Sequence, residues 1–272
     1  MTTVCDRMTN QWFRKKDGRP FVMGILNVTP DSFSDGGRFL SKEEAIKHAF
    51  ELEDAGADII DIGGESTRPG SHAVPLKVEM ERVIPVIREL SSSACVPISV
   101  DTNKHEVAKA AIEAGACMLN DIRGLSDPKM IGVAVDHDVP VVIMHMHGTP
   151  ETLGTDTMSG NVLEQVKYYL NERIEAALDA GIRRENIVVD PGIGFGKTPQ
   201  QDIEILRNPR YFTEEYPVLI GPSRKRFLST GFPGLDREEA TAEASIVTSK
   251  AGADIIRVHD VAKIMNALNS VR

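Results

Sequence analysis

The sequence has few of the features that mark membrane, secreted or nucleic-acid-binding proteins. Its three cysteines, Cys5, Cys95 and Cys117, are scattered without metal-ligand spacing, so a cysteine zinc site is excluded and reduced thiols are expected. No apolar run approaches the roughly 20 residues that a membrane span needs. Residues 1–11 lack the apolar core of a signal peptide, so we expect a cytoplasmic protein. The net charge of −9 offers no basic face and argues against a nucleic-acid partner.

What the chain does have is a regular alternation of short apolar strands and helices. Four helices are predicted to end at a glycine that leads into the next strand, at Gly56, Gly115, Gly181 and Gly252. Strands are predicted near 22–27, 58–63, 97–101, 117–120, 140–145, 187–190, 217–221 and 254–258. Helices are predicted near 41–55, 76–91, 104–114, 127–137, 161–180, 200–208, 223–229 with 237–250, and 260–270.

Eight strands alternating with eight helical segments predict an α/β protein, a single-domain (β/α)8 TIM barrel over residues 1–272, rather than a doubly wound sheet. Asp17-Gly18 is a hairpin signal. Residues 1–20 are therefore predicted to form an N-terminal hairpin extension that plugs the barrel floor.

Polar side chains stand at the carboxyl end of nearly every predicted strand. In a TIM barrel these ends converge on one mouth, where enzymes of this fold keep their chemistry. Taken singly, some have a structural explanation: Asp101 could cap the following helix, and Asp190 could serve a turn. Because all of these strand-end residues, and Met144 with them, fall on one rim, we interpret the set as an active site. They are Asn27, Asp61, Glu65, Ser66, Thr67, Arg68, Asp101, Asn120, Asp121, Met144, His145, Asp190, Ser223, Arg224, Lys225, Arg257 and His259.

Several of these residues suit a flat, nitrogen-rich ligand. Asp101, Asn120 and Asp190 offer acceptors to the ring N–H and exocyclic NH2 groups of a heterocycle with a guanidine-like edge. Lys225 could meet a ring carbonyl or nitrogen, and Arg257 can stack on an aromatic plane while donating to an anion. The apolar residues that would cover the ring faces are Ile122, Met144 and Phe195.

An acidic protein that handles phosphate must gather its cations locally or use a metal. Arg257, His259 and Arg68 would supply cationic or donor groups to phosphate oxygens. A magnesium ion held by Asn27, pyrophosphate oxygens and water fits this site, because Mg2+ retains waters and needs few protein ligands.

Two other segments invite assignments that their spacing does not support. Residues 192–197, GIGFGK, lack the spacing of a P-loop or a dinucleotide-binding loop, so we predict a turn that brings Phe195 close to a flat ligand. The His-Met-His segment 145–147 has no third ligand nearby in sequence, which disfavours zinc.

Together the motifs identify a family. Residues 23–39, MGILNVTPDSFSDGGRF, closely resemble the first signature of dihydropteroate synthases, and residues 61–70, DIGGESTRPG, resemble the second. The motifs that follow in order are SVDT at 99–102, LNDI at 119–122, MHMHGTP at 144–150, DPGIGFGK at 190–197, SRK at 223–225 and RVHD at 257–260. The resemblance extends from Phe21 to the C-terminus.

The resemblance implies a pterin-binding barrel, and a transferase of folate biosynthesis. Such an enzyme joins 6-hydroxymethyl-7,8-dihydropterin diphosphate to para-aminobenzoate and forms 7,8-dihydropteroate and pyrophosphate. The resemblance also implies a magnesium cofactor, a homodimer, and competition by sulfonamides, which mimic para-aminobenzoate.

Carried over by position, the resemblance assigns residues to several roles. The catalytic residues would be Asp101, Asp190, Lys225, Arg257 and His259. The pterin pocket would comprise Asp101, Asn120, Ile122, Met144, Asp190, Phe195, Lys225 and Arg257. The diphosphate would contact Asn27, Thr67, Arg68, Arg257 and His259, and the para-aminobenzoate would contact Phe33, Thr67, Pro69, Ser223 and Lys225, with Arg68 helping to shape that side. The metal ligands would be Asn27 and Asp35.

Three alternatives share parts of this pattern. A pterin-binding methyl carrier would keep the acidic pocket but has no use for a diphosphate group at Arg257 and His259. A methanopterin-type synthase would keep the chemistry and use a larger, ribosylated aminobenzene. A non-catalytic paralogue would bind pterin or a partner protein without turnover. Pyrophosphate release, and the amine that supports it, discriminate among them.

Overall fold

A computed structural model describes residues 18–29, 42–66, 71, 73–149, 152–153 and 155–271. The strands in these ranges are β1 (Phe21–Asn27), β2 (Ile59–Gly63), β3 (Ile98–Asp101), β4 (Met118–Asp121), β5 (Val141–Met144), β6 (Ile187–Asp190), β7 (Leu219–Ile220) and β8 (Ile255–Val258). The helices are α1 (Lys42–Asp54), α2 (Leu76–Leu90), α3 (His105–Glu113), α4 (Pro128–His137), α5 (Val162–Asp179), α6 (Pro199–Arg207), α7 (Pro209–Phe212), α8 (Leu228–Gly231), α9 (Arg237–Lys250) and α10 (Val261–Ser270).

All the strand pairings in the sheet are parallel, and the strand order is β6-β5-β4-β3-β2-β1-β8-β7. A parallel bridge between Val189 of β6 and Val218, the residue before β7, closes the sheet on itself. The predicted TIM barrel is confirmed, and its strands follow in the predicted order. None of the helices formed by the described residues is long and apolar enough to cross a membrane.

Side chains alternate between the barrel interior and the helix-facing layer along each strand. The floor of the interior is filled by Phe21, Met23, Ile59, Cys117, Met118, Val142, Val188, Leu219 and Ile255. Residues two positions further along the same strands face the same interior, nearer its mouth. This rule takes Ile59 to Asp61 and Met118 to Asn120. It likewise takes Val188 to Asp190 and Ile255 to Arg257. The apolar floor and the polar mouth therefore come from one strand periodicity.

The predicted glycine junctions are present in the structure. Gly56, Gly115, Gly181 and Gly252 have φ angles of 97°, 113°, 102° and 100°. Each follows a helix and leads towards the next strand. Their positive φ angles are those of the glycine caps at which the sequence predicted that these helices end.

Four details differ from the sequence predictions or fall on residues that the structure does not describe. The four-residue α7 was not predicted, and the helix expected at 223–229 begins later, at Leu228. The prediction of reduced thiols is wrong for Cys117, which is disulfide-bonded, whereas Cys95 is free and exposed. The predicted hairpin extension lies outside the described residues except for residues 18–20.

Candidate active site

One arginine and two carboxylates form the centre of the barrel mouth. Arg257 Nε donates to Asp61 Oδ2 at 2.6 Å, and its Nη2 donates to Asp101 Oδ2 at 2.6 Å. Asn120 Nδ2 donates to the same Asp61 Oδ2 at 2.9 Å. Three successive strands, β2, β3 and β4, thus place two carboxylates and an amide around a guanidinium from β8.

Burial controls the ionisation of this centre. Removal from water raises the pKa of Asp101 to about 7, although Arg257 acts to lower it, and the nearby Asp61 and Glu79 raise it further. A carboxylate that titrates near neutrality is poised to respond to a positively charged ligand.

A second carboxylate faces the mouth from β6. Burial raises the pKa of Asp190, whose Oδ1 accepts the Gly192 N–H at 2.7 Å. Beside it, burial lowers the pKa of Lys225 to about 8, with Asp190 acting in the opposite direction. The ammonium of Lys225 donates to the Ile193 carbonyl and lies 4.5 Å from the centre of the Phe195 ring. A flat ligand at this point would meet a carboxylate, an ammonium and an aromatic face.

The glycine-rich segment 192–197 is a turn, as predicted, and a buried lysine anchors it. Lys197 Nζ lies 2.7 Å from the Gly192 carbonyl, 3.2 Å from the His145 carbonyl and 2.7 Å from His145 Nδ1. Burial lowers the pKa of His145 to about 2, so its ring is neutral and can accept from the lysine. Asp202 Oδ1 accepts the Gly194 N–H at 2.7 Å from the α6 side.

The segments that follow β7 and β8 contribute a hydroxyl and an imidazole to the mouth. Ser223 Oγ lies 2.8 Å from His259 Nδ1 and accepts the His259 backbone N–H at 3.3 Å. Arg224, which lies between Ser223 and Lys225, has a φ of 59°, so the backbone turns sharply just after Ser223.

A partly buried ion cluster lies near Asp101. Lys104 Nζ is 2.5 Å from both Glu65 Oε2 and Glu79 Oε2. Thr102 Oγ1 donates to Glu79 Oε1 at 2.6 Å. The residue after Asp101 is therefore tied to α2, which limits the movement of the end of β3.

Most of the predicted site residues are among those that the structure describes, and they lie at the mouth of the barrel. Ile122 and Met144 are buried at the ends of β4 and β5, and Asn27 is half-buried at the end of β1. The predicted site residues Phe33, Asp35, Thr67, Arg68 and Pro69 lie outside the described residues.

Sequence reasoning missed two central residues. Asp61 was noted at the rim but given no role, although its place two residues after Ile59 puts it in the interior phase of β2. Lys197 was predicted to be part of a turn. Its hydrogen-bond partners, His145 after β5 and the Gly192 carbonyl, are not apparent from the sequence. Asp121, in contrast, is structural, since its side chain accepts the N–H groups of Arg123 and Leu125 at 2.9 Å each.

Comparisons with known proteins agree with this geometry. Residues 23–259 match the profile of a family described as pterin binding enzyme. A dihydropteroate synthase of Synechocystis sp. is 44% identical over 248 residues, which cover 89% of this chain and 86% of the relative. One of Bacillus subtilis is 46% identical over 260 residues, which cover 92% of this chain and 89% of the relative.

The structure of Xanthomonas albilineans dihydropteroate synthase with 4-aminobenzoic acid matches with a TM-score of 0.85 and 44% identity, covering 93% of this chain and 92% of the other. The same enzyme in complex with 7,8-dihydropteroate gives a TM-score of 0.83 and 41% identity over the same shares of the two chains. With the family profile and these relatives spanning most of its length, the chain belongs to the dihydropteroate synthases of the pterin-binding enzyme family.

Proposed function

We propose that this protein is a dihydropteroate synthase, a transferase that joins 6-hydroxymethyl-7,8-dihydropterin diphosphate to para-aminobenzoate. The observation that carries the proposal is the pair of buried carboxylates, Asp101 and Asp190, facing one barrel mouth in a chain of this family. The complexes of the Xanthomonas enzyme with 4-aminobenzoic acid and with 7,8-dihydropteroate support the choice of amine and product.

The pterin would lie between the two carboxylates. Its ring N–H and NH2 groups would donate to Asp101 and Asp190, and Lys225 would donate to the ring carbonyl or a ring nitrogen. The ring faces would contact apolar side chains, among them Ile122, Met144 and Phe195. Arg257 would stack over the ring, while its guanidinium donates towards the diphosphate.

In the proposed reaction the bond between the methylene carbon and the diphosphate breaks first. The positive charge that remains on the pterin is stabilised by Asp101 and Asp190, and Arg257 and His259 stabilise the departing diphosphate. The amine nitrogen then bonds to the methylene carbon and loses a proton. No covalent enzyme intermediate is needed.

Asn27 would hold a magnesium ion at the diphosphate side. Among the described residues no group of three or more His, Cys, Asp or Glu could hold a metal, so an ion bound here must rely mainly on substrate oxygens and water. Asn27 pairs in register with Gly63, which pairs with Asp101, so its amide lies on the same rim. Magnesium suits such a site and would offset the charge of the diphosphate. The second proposed ligand, Asp35, lies outside the described residues.

The para-aminobenzoate side would include Ser223 and Lys225, together with Phe33, Thr67 and Pro69 of two segments outside the described residues. Arg68 would contact the diphosphate from the second of these segments and help shape the amine side. Sulfonamides would compete with the amine for this subsite, and the Yersinia pestis enzyme has been solved with a sulfonamide drug.

We also propose a homodimer in the cytoplasm, and sedimentation of the purified protein tests the dimer.

The decisive assay measures pyrophosphate and dihydropteroate together, with dihydropterin diphosphate, magnesium and either para-aminobenzoate or a ribosylated aminobenzene. We expect stoichiometric pyrophosphate and dihydropteroate only with para-aminobenzoate. Product only with the ribosylated amine would favour the methanopterin-type reaction. Pterin binding without pyrophosphate release would favour a methyl carrier or a non-catalytic paralogue.

A further inference from the structure

Asp61 is a buried carboxylate to which the proposed reaction gives no role. Its side chain is completely buried, and one oxygen, Oδ2, accepts both Arg257 Nε at 2.6 Å and Asn120 Nδ2 at 2.9 Å. Its other oxygen, Oδ1, is buried without a hydrogen-bond partner among the described residues. A charge held this deeply costs free energy unless it is paired, so the guanidinium is its counterion.

The contact with Asp61 fixes which way the Asn120 side-chain amide points. A carboxylate only accepts hydrogen bonds, so the amide must present its NH2 group to Asp61. The reversed amide would set two oxygens against each other in a buried site, which is strongly unfavourable. Asn120 is therefore oriented with its carbonyl oxygen available as an acceptor, and it stands beside Asp101 in register.

The same oxygen also fixes the Arg257 guanidinium. The Nε–Asp61 bond holds the inner edge of the group, while Nη2 donates to Asp101 at 2.6 Å. If a ligand displaces Asp101 from Nη2, Arg257 keeps its hydrogen bond to Asp61, and its outer nitrogens can turn towards the ligand. Asp61 would then decide where the guanidinium lies during binding.

We propose that Asp61 is a positioning residue that orients the amide of Asn120 and anchors Arg257, so that the mouth selects a heterocycle with a ring N–H donor. The inference rests on the proposed function and adds a residue to it. Asp61 does not touch the substrate; it acts through the two side chains that share its Oδ2.

The test replaces Asp61 by the isosteric amide, Asp61→Asn, and measures pteroate affinity by calorimetry and turnover by pyrophosphate release. We expect affinity to fall by on the order of tenfold or more, because the amide oxygen can still accept from both donors but the charge that anchors Arg257 is lost and the buried amide NH2 has no acceptor. The matched control is Asp58→Asn, one residue before the start of the same strand. Asp58 also pairs with an arginine, since Arg19 Nη1 and Nη2 donate to its carboxylate at 2.6 Å and 3.0 Å. This control is expected to lower the unfolding temperature while affinity stays unchanged.

A double-mutant cycle separates positioning from general stability. If Asp61 acts through Asn120, then Asp61→Asn adds less than about threefold to the affinity loss once Asn120→Ala is present. Fully additive losses would overturn the action of Asp61 through Asn120, and an Asp61→Asn protein with unchanged affinity would overturn the whole proposal. Should Asp61→Asn fail to fold, Asp61→Ser carries the same cycle with a smaller side chain whose hydroxyl can rotate to accept from Asn120 or Arg257.

The outcomes also separate this inference from the proposed function. A wild-type protein that binds pteroate but forms no dihydropteroate contradicts the reaction, and the binding cycle still tests Asp61. A wild-type protein that forms dihydropteroate while Asp61→Asn binds normally contradicts only the role of Asp61. A wild-type protein that binds no pterin overturns both.

Discussion

At the scale of single residues, the ionisation of Asp101 links the structure to the chemistry. Burial raises the pKa of this carboxylate to about 7, so it is only partly ionised at neutral pH. Positive charge that develops on a pterin beside it would favour the ionised form, and the carboxylate would in return stabilise that charge. Asp101 should therefore matter more to the reaction step than to pterin affinity.

We predict that Asp101→Asn lowers kcat by on the order of 100-fold, because the amide keeps an acceptor but loses the charge that opposes the developing cation. Pteroate affinity should fall much less. Steady-state kinetics measures kcat, and calorimetry measures the affinity for pteroate. The control is Asp127→Asn at the N-cap of α4, where asparagine caps about as well as aspartate. Equal losses in kcat and affinity would assign Asp101 to binding alone.

The same residue predicts a pH dependence. The ionised form of Asp101 is needed, so kcat/KM should rise as pH increases through about 7. It should fall again above about 8, where Lys225 loses the proton through which it is proposed to donate a hydrogen bond to the pterin. The acid limb should disappear in Asp101→Asn, while the alkaline limb remains. An acid limb that persists in the variant would belong to another group.

At the scale of single elements, the turn after β6 is held against the end of β5. Gly192 has a φ of 70°, and a Cβ at this position would lie 1.8 Å from the His145 carbonyl oxygen. Its N–H is the donor to Asp190 Oδ1, so its position also sets that carboxylate. The turn therefore requires glycine for its conformation and for the close approach of two backbones.

We predict that Gly192→Ala destabilises the protein by several kcal/mol, since strain and a backbone clash add together. The matched control is Gly234→Ala. Gly234 has a φ of 87° but no atom within 4 Å of its Cβ position, so only the strain of about 1 kcal/mol is expected. Urea unfolding measures both variants, and pteroate titration should show weaker binding only for Gly192→Ala. Similar losses of stability would remove the role given to the clash.

The sequence predicted elements better than contacts. Strands and long helices follow from apolar periodicity, whereas α7 has four residues after an Asn-Pro step and no periodicity to detect. Asp101, Asn120 and Asp190 were predicted because each stands at or near a strand end. Asp61 was placed on the rim but given no role, because a shared hydrogen-bond acceptor cannot be read from a sequence.

At the scale of the whole molecule, the barrel is unevenly closed. The strands β1 and β2 pair over five residues in register. On the other side, β6 is joined only through an isolated bridge between Val189 and Val218, the residue before β7, and β7 itself has only two residues. The proposed pterin pocket spans this weak seam, because Asp190 ends β6 and Lys225 follows β7. A ligand bound by both residues would cross-link the seam.

We predict that amide hydrogen exchange is faster in segments 187–190 and 217–221 than in 21–27 and 59–63, because fewer inter-strand hydrogen bonds hold them. Pteroate should slow exchange most at the seam, and the β1–β2 pair serves as the internal control. The variant Lys225→Met should lose most of this ligand-induced protection, since the β7 side would no longer hold the ligand. Protection distributed evenly around the barrel would mean that the pterin site does not depend on closure between β6 and β7.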